Sequence, residues 1–262
     1  MVVSCWRLIL DGPAHGFWNM AVDEALFRWA EEHGGYPVIR FYSWHPPCVS
    51  LGKFQKVEAS VDLEACRRLG VELVRRPTGG RAILHENEVT YSITAPLASW
   101  GVLESYRYLS EGLVRGLKKL GIEAGYGAER ASDLHSKASC FAHAARCDIV
   151  AGGRKIIGSA QVRGARWLLQ QGSIPLEVSL KRNAEVFGWR DESESGAASS
   201  LSEVLNRSVT AEEVIRAMVQ GFEDALQIPL KAEALTSQER ELAEHLARTK
   251  YTTEEWTLYA KG

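Results

Sequence analysis

Two residue types in this 262-residue sequence can carry covalent chemistry near neutral pH, a cysteine and a lysine fifteen positions apart, Cys140 and Lys155. Cys140 lies in the loop-like run Lys137-Ala138-Ser139-Cys140-Phe141, just ahead of the β-rich stretch that carries Lys155. A thiol at its ordinary pKa of about 8.5 is only a few per cent thiolate at neutral pH, and a neighbouring ammonium favours the thiolate. Such a pair makes a nucleophile able to hold an acyl group. Both residues also have ordinary readings. Free cysteine is among the most buried residue types, and a lysine after a Gly152-Gly153 turn is commonly solvated. The small run Gly158-Ser159-Ala160 leaves room beside Lys155 for a ligand chain.

A second constellation runs from Arg75 to Ser92. Arg75, Arg76 and Arg81 surround the Gly79-Gly80 turn after Thr78, and His85 follows. Glycines let backbone approach a ligand closely, and so many charges beside apolar strands are costly unless a polar ligand visits. A plain Gly-Gly turn between strands, with His85 a turn histidine and only a weak base candidate, is the alternative. Neither Thr78-Gly79-Gly80-Arg81 nor Gly152-Gly153-Arg154-Lys155 matches a P-loop or a dinucleotide fingerprint. Cys140, His143 and Cys147 are close enough to raise a metal site but lack an evident fourth ligand, so no metal is assigned. Cys5, Cys48 and Cys66 read as small core residues.

The elements that must position these residues follow from periodicity. A strand over 6–10 leads into a helix over about 15–33, whose apolar face is interrupted by Asn19, Asp23 and Glu24. Short strands are expected at 38–42 and 48–51, and a short helix at 63–70. Val89, Tyr91 and Ile93 alternate with Thr90 and Ser92 as in a half-buried strand, and a helix follows over about 103–120. Segments 148–150, 155–161 and 167–174 form an antiparallel meander, and the polar 190–200 run is a surface loop. The tail is helical, with capping boxes at Thr210/Glu213 and Thr236/Glu239. This order predicts an α+β fold around a mixed, largely antiparallel sheet flanked by helices. One domain over 1–262 is expected, with about 209–262 a packed C-terminal helical extension.

Composition narrows the partners. A formal net charge of −2 argues against a dedicated nucleic-acid binder, and 45% hydrophobic content supports a real core. No stretch approaches the roughly 20 apolar residues of a membrane span. Five cysteines without a CxxC pair, and a start lacking a basic segment ahead of an apolar one, fit a cytoplasmic protein.

Several further runs complete a pattern: Asn19-Met20-Ala21-Val22-Asp23-Glu24-Ala25-Leu26, Arg40-Phe41-Tyr42-Ser43-Trp44, Pro46-Pro47, Ser50-Leu51-Gly52 and Gln55. Later come Gly153-Arg154-Lys155-Ile156-Ile157-Gly158-Ser159-Ala160-Gln161, Gln171-Gly172-Ser173-Ile174, Lys250-Tyr251 and Glu255-Trp256. Together with the Arg75 to Ser92 run, these span most of the chain and resemble the catalytic domain shared by biotin protein ligases, lipoate protein ligases and octanoyltransferases. Within it, Cys140-Phe141 ahead of Lys155, and Gly79-Gly80-Arg81, are most similar to the LipM type of octanoyltransferase. The LipB type places its lysine before its cysteine, the reverse of this chain. Gln171 stands where the family often has histidine.

The resemblance implies an acyltransferase of lipoate biosynthesis that needs no cofactor. Its donor would be octanoyl acyl carrier protein. Its acceptor would be a lysine of a lipoyl domain, the glycine cleavage H protein first among them. Cys140 would carry the acyl thioester, and Lys155 would lower its pKa and stabilise the oxyanion. Arg76, Thr78, Gly79, Gly80, His85, Gly158, Ser159 and Ala160 would bind the substrate, with Arg75, Arg76 and Arg81 facing acidic carriers. The chain is expected to act as a monomer. The alternatives are a LipL-type amidotransferase between lipoyl domains, an ATP-dependent lipoate ligase, and a non-enzymatic acyl-carrier docking or acyl-binding protein.

Overall fold

The computed structural model describes residues 5–127, 148–190 and 199–261. Cys140, His143, Cys147 and most of the polar 190–200 run therefore lie outside the described residues. In chain order the elements are β1 (Trp6–Ala14), α1 (Gly16–His33), β2 (Val38–Trp44), β3 (Cys48–Leu51), α2 (Leu63–Arg68), β4 (Glu72–Arg75), β5 (Ile83–His85), β6 (Glu88–Pro96) and α3 (Val102–Lys119). They continue with β7 (Gly125–Tyr126), β8 (Ile149–Ala151), β9 (Arg154–Arg163), β10 (Trp167–Pro175), α4 (Leu180–Phe187), α5 (Leu201–Leu205), α6 (Ala211–Leu226), β11 (Leu230–Ala232), α7 (Ser237–Leu246), a π-helical turn at Ala247–Tyr251, and α8 (Glu254–Thr257).

The main sheet has eight strands in the order β11-β1-β2-β6-β10-β9-β8-β7. β1 runs parallel to β11 and β2, and every other pairing is antiparallel. A second sheet, β4-β3-β5, is smaller, with β3 parallel to β4 and antiparallel to β5. The expected α+β fold with a mixed, largely antiparallel sheet is what forms.

Both faces of the main sheet are covered. Ile39, Phe41, Val89, Tyr91 and Ile93 pack with Leu109 and Leu113 of α3 and Met218 and Phe222 of α6. Val38, Tyr42 and Trp44 pack on the opposite side with Met20 and Leu26 of α1 and with Leu246 and Tyr251. β6 is therefore buried from Glu88 to Ala95, where its alternation predicts one wet face. Thr90, Ser92 and Thr94 turn towards the α1 side, and their burial is sustained by hydrogen bonds such as Ser92 Oγ to Asp23 Oδ1 at 2.7 Å. Alternation reports which residues share a face, and packing decides whether that face meets water.

The tail is tied into this frame at both faces. α6 joins the α3 layer, and β11 adds a strand at the sheet edge that a purely helical tail lacks. Near the C-terminus, Glu24 on α1 accepts both from Lys250 Nζ, at 2.8 and 2.9 Å, and from the Tyr251 hydroxyl. Trp256 Nε1 donates to the Arg75 carbonyl at 2.8 Å. The Lys250-Tyr251 and Trp256 marks thus act as a clasp. The Thr236/Glu239 capping box forms. At Thr210 the hydroxyl caps Glu213 N, but the Glu213 carboxylate is drawn to Arg207 at 2.6 Å, so that box is half made.

Candidate active site

The cleft lies on the α1 side of the sheet, where β9, β10, β6 and β2 meet β3 and β5. Register explains its wall. Gln171 pairs with Ala160 and Ser92, and Ser173 with Gly158 and Thr90, so these side chains share one face. The cleft is lined by Met20, Tyr42, Trp44, Ile83, Ser50, Arg76, His85 and Thr90 opposite Gly158, Ser159, Ala160 and Gln171 to Ser173.

Lys155 is buried at 3% exposure, and its ammonium pairs with Asp148 at 2.9 Å. The lysine is not the solvated turn residue of the plainer reading. The chain of Lys155 folds over Gly158: a Cβ there would meet Lys155 Cε at 2.8 Å and Nζ at 2.9 Å. Gly158, itself part of the cleft lining, accordingly makes room for the lysine, which stands beside the cleft. Asp148 has no sequence signal of its own. It comes into range because β8 pairs with β9 through a register shift at Ile149/Val150.

The arginines divide differently from expectation. Arg75, 1% exposed, donates to the carbonyls of Gly52, Lys53, Gln55, Trp256, Thr257 and Leu258. Arg76 donates to the carbonyls of Ser50, Gly79 and Arg81. Neither faces outward towards a carrier: a guanidinium has five donors, and loop carbonyls left inside need them. Gly79-Gly80 is the turn that Arg76 braces, and it is absent from the cleft lining. Gly80 has φ 91°, and a Cβ on Gly52 would stand 1.9 Å from Gly80 O, so the turn docks directly on the end of β3.

Thr78 and Gln171 form a bridge below the cleft. Thr78 Oγ1 donates to Gln171 Oε1 at 2.9 Å, and Gln171 Nε2 donates to Asp23 Oδ2 at 2.6 Å. An amide offers both a donor and an acceptor, which suits the position where the family often has histidine. Asp23 is fully buried and also receives Tyr42 Oη at 2.8 Å and Arg40 Nη1 at 2.8 Å. Burial, and then the Asp23 charge, push the Tyr42 hydroxyl well above its usual range, so it stays a donor. Asn19, whose Oδ1 accepts from Arg40 Nη2 at 3.0 Å, and Asp23 are thus the supports of the cleft floor, while Glu24, the third polar interruption in α1, serves the C-terminal clasp.

His85 is buried with both ring nitrogens engaged, Nδ1 to Glu88 Oε1 at 2.7 Å and Nε2 to Ser50 Oγ at 2.7 Å. Its ring stacks on Trp44 at 4.0 Å. Burial alone would raise the Glu88 carboxyl. The His85 charge and hydrogen bonds from His85, Ser173 and Thr90 outweigh it and hold the group below its usual range. Cys48 and Cys66 are buried as expected, whereas Cys5 is partly exposed, and burial pushes the Cys48 thiol well up. Among the described residues no group of His, Cys, Asp or Glu could hold a metal.

The cleft on one face of this mixed sheet, with a buried lysine beside it, belongs to an acyltransferase, as relatives over nearly the whole chain show. The chain belongs to the lipoyl protein ligase A/B catalytic-domain family, whose model matches residues 15–223. It is 40% identical to the octanoyltransferase LipM of Geobacillus kaustophilus, over 98% of this chain and 99% of the relative. The fold is shared with solved structures. A lipoate-protein ligase A bound with ATP superposes with a TM-score of 0.84 at 28% identity, covering 97% of this chain and 98% of that one. A bipartite lipoate protein ligase from Thermoplasma acidophilum, studied with its E2 lipoyl domain, gives 0.82 at 27% identity, covering 98% of each chain.

Proposed function

We propose that this chain is an octanoyltransferase of lipoate biosynthesis that carries the octanoyl group as a thioester on Cys140, from octanoyl acyl carrier protein to a lysine of a lipoyl domain, the glycine cleavage H protein first among them. The observation that carries the reading is the near full-length similarity to an octanoyltransferase. The buried Lys155 ammonium beside the cleft supports it.

In the first half-reaction the Cys140 thiolate attacks the donor thioester carbonyl, and the phosphopantetheine thiolate leaves. Thioester exchange is nearly isoenergetic. The acceptor lysine amine then attacks the octanoyl-Cys140 carbonyl, the C–S bond breaks, and the amide formed draws the cycle forward. Lys155 favours the thiolate and stabilises the tetrahedral oxyanion, a contact whose loss commonly costs about 3 kcal/mol. Arg76, His85, Gly158, Ser159 and Ala160 line the slot for the acyl chain. Burial of an eight-carbon chain at about 0.8 kcal/mol per methylene is enough to measure its length. Thr78, Gly79 and Gly80 act through the wall they support. The enzyme works without a cofactor, as a monomer in the cytoplasm, and no described helix is long and apolar enough to cross a membrane.

Intact-mass measurement after mixing with octanoyl acyl carrier protein, without ATP, tests this. Wild type gains one octanoyl group and Cys140→Ala gains none. Equal gain by Cys140→Ala refutes the thioester route, and a strict need for ATP converts the reading to a ligase. Chasing the acyl-enzyme with candidate lipoyl domains identifies the acceptor.

A further inference from the structure

We propose that the face built on Lys53, Phe54 and Lys56, with Tyr259 beside it, is the docking surface for the domain that carries the acceptor lysine, and that it takes an acidic protein surface. This inference rests on the transferase reading given above. It answers a question that the fold raises. Arg75 and Arg76, the cations expected to meet a partner, are turned to loop carbonyls inside the molecule, so another surface must receive it.

Phe54 is 83% exposed and Tyr259 62%, and one guanidinium brings them to the same stretch of surface. Arg75 donates through Nη1 to the Lys53 carbonyl at 3.2 Å and through Nη2 to the Leu258 carbonyl at 3.2 Å, and the two aromatics are the residues that follow. The loop under Phe54 is not slack. The carbonyls of Gly52 and Gln55 also bind Arg75, at 2.9 and 2.8 Å. The Gln55 side chain accepts from Gly52 N at 2.9 Å, and Gln55 N donates back to the Gly52 carbonyl at 3.0 Å. A large apolar side chain held outward on a braced loop loses little freedom when a partner covers it, which is what an interface anchor requires.

Charge sets the chemistry of that partner. Lys53 and Lys56 flank Phe54, and among the described residues no carboxylate pairs with either. Burial first, and then the Arg28 and Lys53 charges, hold the Lys250 ammonium below its usual range against the pull of Glu24, so cations crowd this face. Arg28, Lys53, Lys56 and Lys250 stand against the buried Glu24 and the exposed Glu58, a local positive excess on a chain whose net charge is −2. Glu254 and Glu255 open α8 and give the Tyr259 end a polar rim.

Position decides which partner it is. The loop continues β3, whose Ser50 lines the cleft. Lys53 N donates at 2.9 Å to the carbonyl of Thr78, whose hydroxyl holds the cleft-lining Gln171 at 2.9 Å. The face therefore adjoins the cleft that takes the octanoyl chain. An acceptor lysine has only its own short stem, so its domain must seat its backbone at such a rim. A donor acyl group travels on the long phosphopantetheine arm, and its carrier has no such need.

Titration of the full chain with unacylated glycine cleavage H protein, and in parallel with an E2 lipoyl domain, tests this. Wild type is expected to bind with an affinity that weakens as salt rises. Phe54→Ala should weaken the complex on the order of tenfold and Lys56→Glu about threefold or more, with KM for the acceptor rising in step. Lys118→Glu, the same charge change on α3, should bind as wild type. All three replaced side chains are exposed, so thermal midpoints should match wild type. Unchanged affinity in Phe54→Ala and Lys56→Glu overturns the assignment, as does an equal loss in Lys118→Glu or the lack of saturable binding to either domain by wild type. If Phe54→Ala loses octanoyl acyl carrier protein and keeps the acceptor, the face belongs to the donor and the proposal fails. It fails equally if Phe54→Ala loses only binding to phosphatidylglycerol vesicles. The titration needs no acyl group, so a wild type that docks through this face but gains no octanoyl mass overturns the transferase reading and not the docking.

Discussion

The Lys155–Asp148 pair is the residue-scale feature from which most else follows. Two charges removed from water hold one another, and removing one partner strands the other, at a cost of about 3 kcal/mol or more. Asp148→Asn should therefore lower the free energy of unfolding by about 3 kcal/mol in urea titrations, and Asp148→Leu with Lys155→Met should recover much of that while losing octanoyl transfer. Gly158→Ala should do the opposite. Its new methyl meets the far end of the lysine, which yields by a small shift that keeps Asp148 in reach, so stability stays within about 1 kcal/mol of wild type. The displaced ammonium then slows octanoyl transfer by on the order of tenfold to a hundredfold, read from initial rates. Lys155 and Gly158 are legible in the sequence as a lysine near a small-residue run. Asp148 is not, because a register shift rather than a motif brings it there.

Among the elements, the two C-terminal capping sites look alike in sequence and differ in the fold. At α7 the Glu239 carboxylate caps Thr236 N at 2.8 Å and also pairs with Arg7, 232 positions earlier in the chain. At α6 the Glu213 carboxylate meets only the exposed Arg207. Glu239→Ala should accordingly destabilise by about 2 kcal/mol or more, because it takes the buried carboxylate from the Arg7 guanidinium and leaves it only the more exposed Glu233 at 2.9 Å, whereas Glu213→Ala should leave stability close to wild type. Thermal unfolding of the two variants side by side checks the difference. Local spacing announces a cap, and only the tertiary neighbour decides its weight. The same holds for β6, whose alternation is correct and whose wet face does not exist because α1 covers it.

For the molecule as a whole, buried carboxylates set the response to acid. At Glu24, Glu88 and Glu239 burial opposes ionisation, and cationic or hydrogen-bonding partners more than offset it, so each folded carboxyl lies below its usual range. Between the folded and the unfolded values the unfolded chain binds more protons, and ∂ΔG/∂pH is positive. The stabilisation is thus fully present above the unfolded value of about 4.3 and drains away as pH falls through the lower folded values. Urea midpoints should hold steady from pH 7 to about 5 and then fall steeply. Replacing Glu24 with Gln should flatten that fall and also loosen the C-terminal clasp through Lys250 and Tyr251.

By itself the sequence determined the strand and helix periods, the glycine positions and the family, since these depend on local sterics and on side-chain types in fixed order. It also marked Lys155, His85, Gly158 and Ala160, which the fold gathers at or beside one cleft. Only the tertiary structure decided that Arg75 and Arg76 brace loops instead of greeting a partner, that Asn19 and Asp23 hold up the cleft floor, and that Ser50 joins His85 and Glu88. Each of those outcomes turns on burial and on which polar group lies within about 3 Å of another. That is a property of chain segments far apart in sequence, and periodicity along one segment does not encode it.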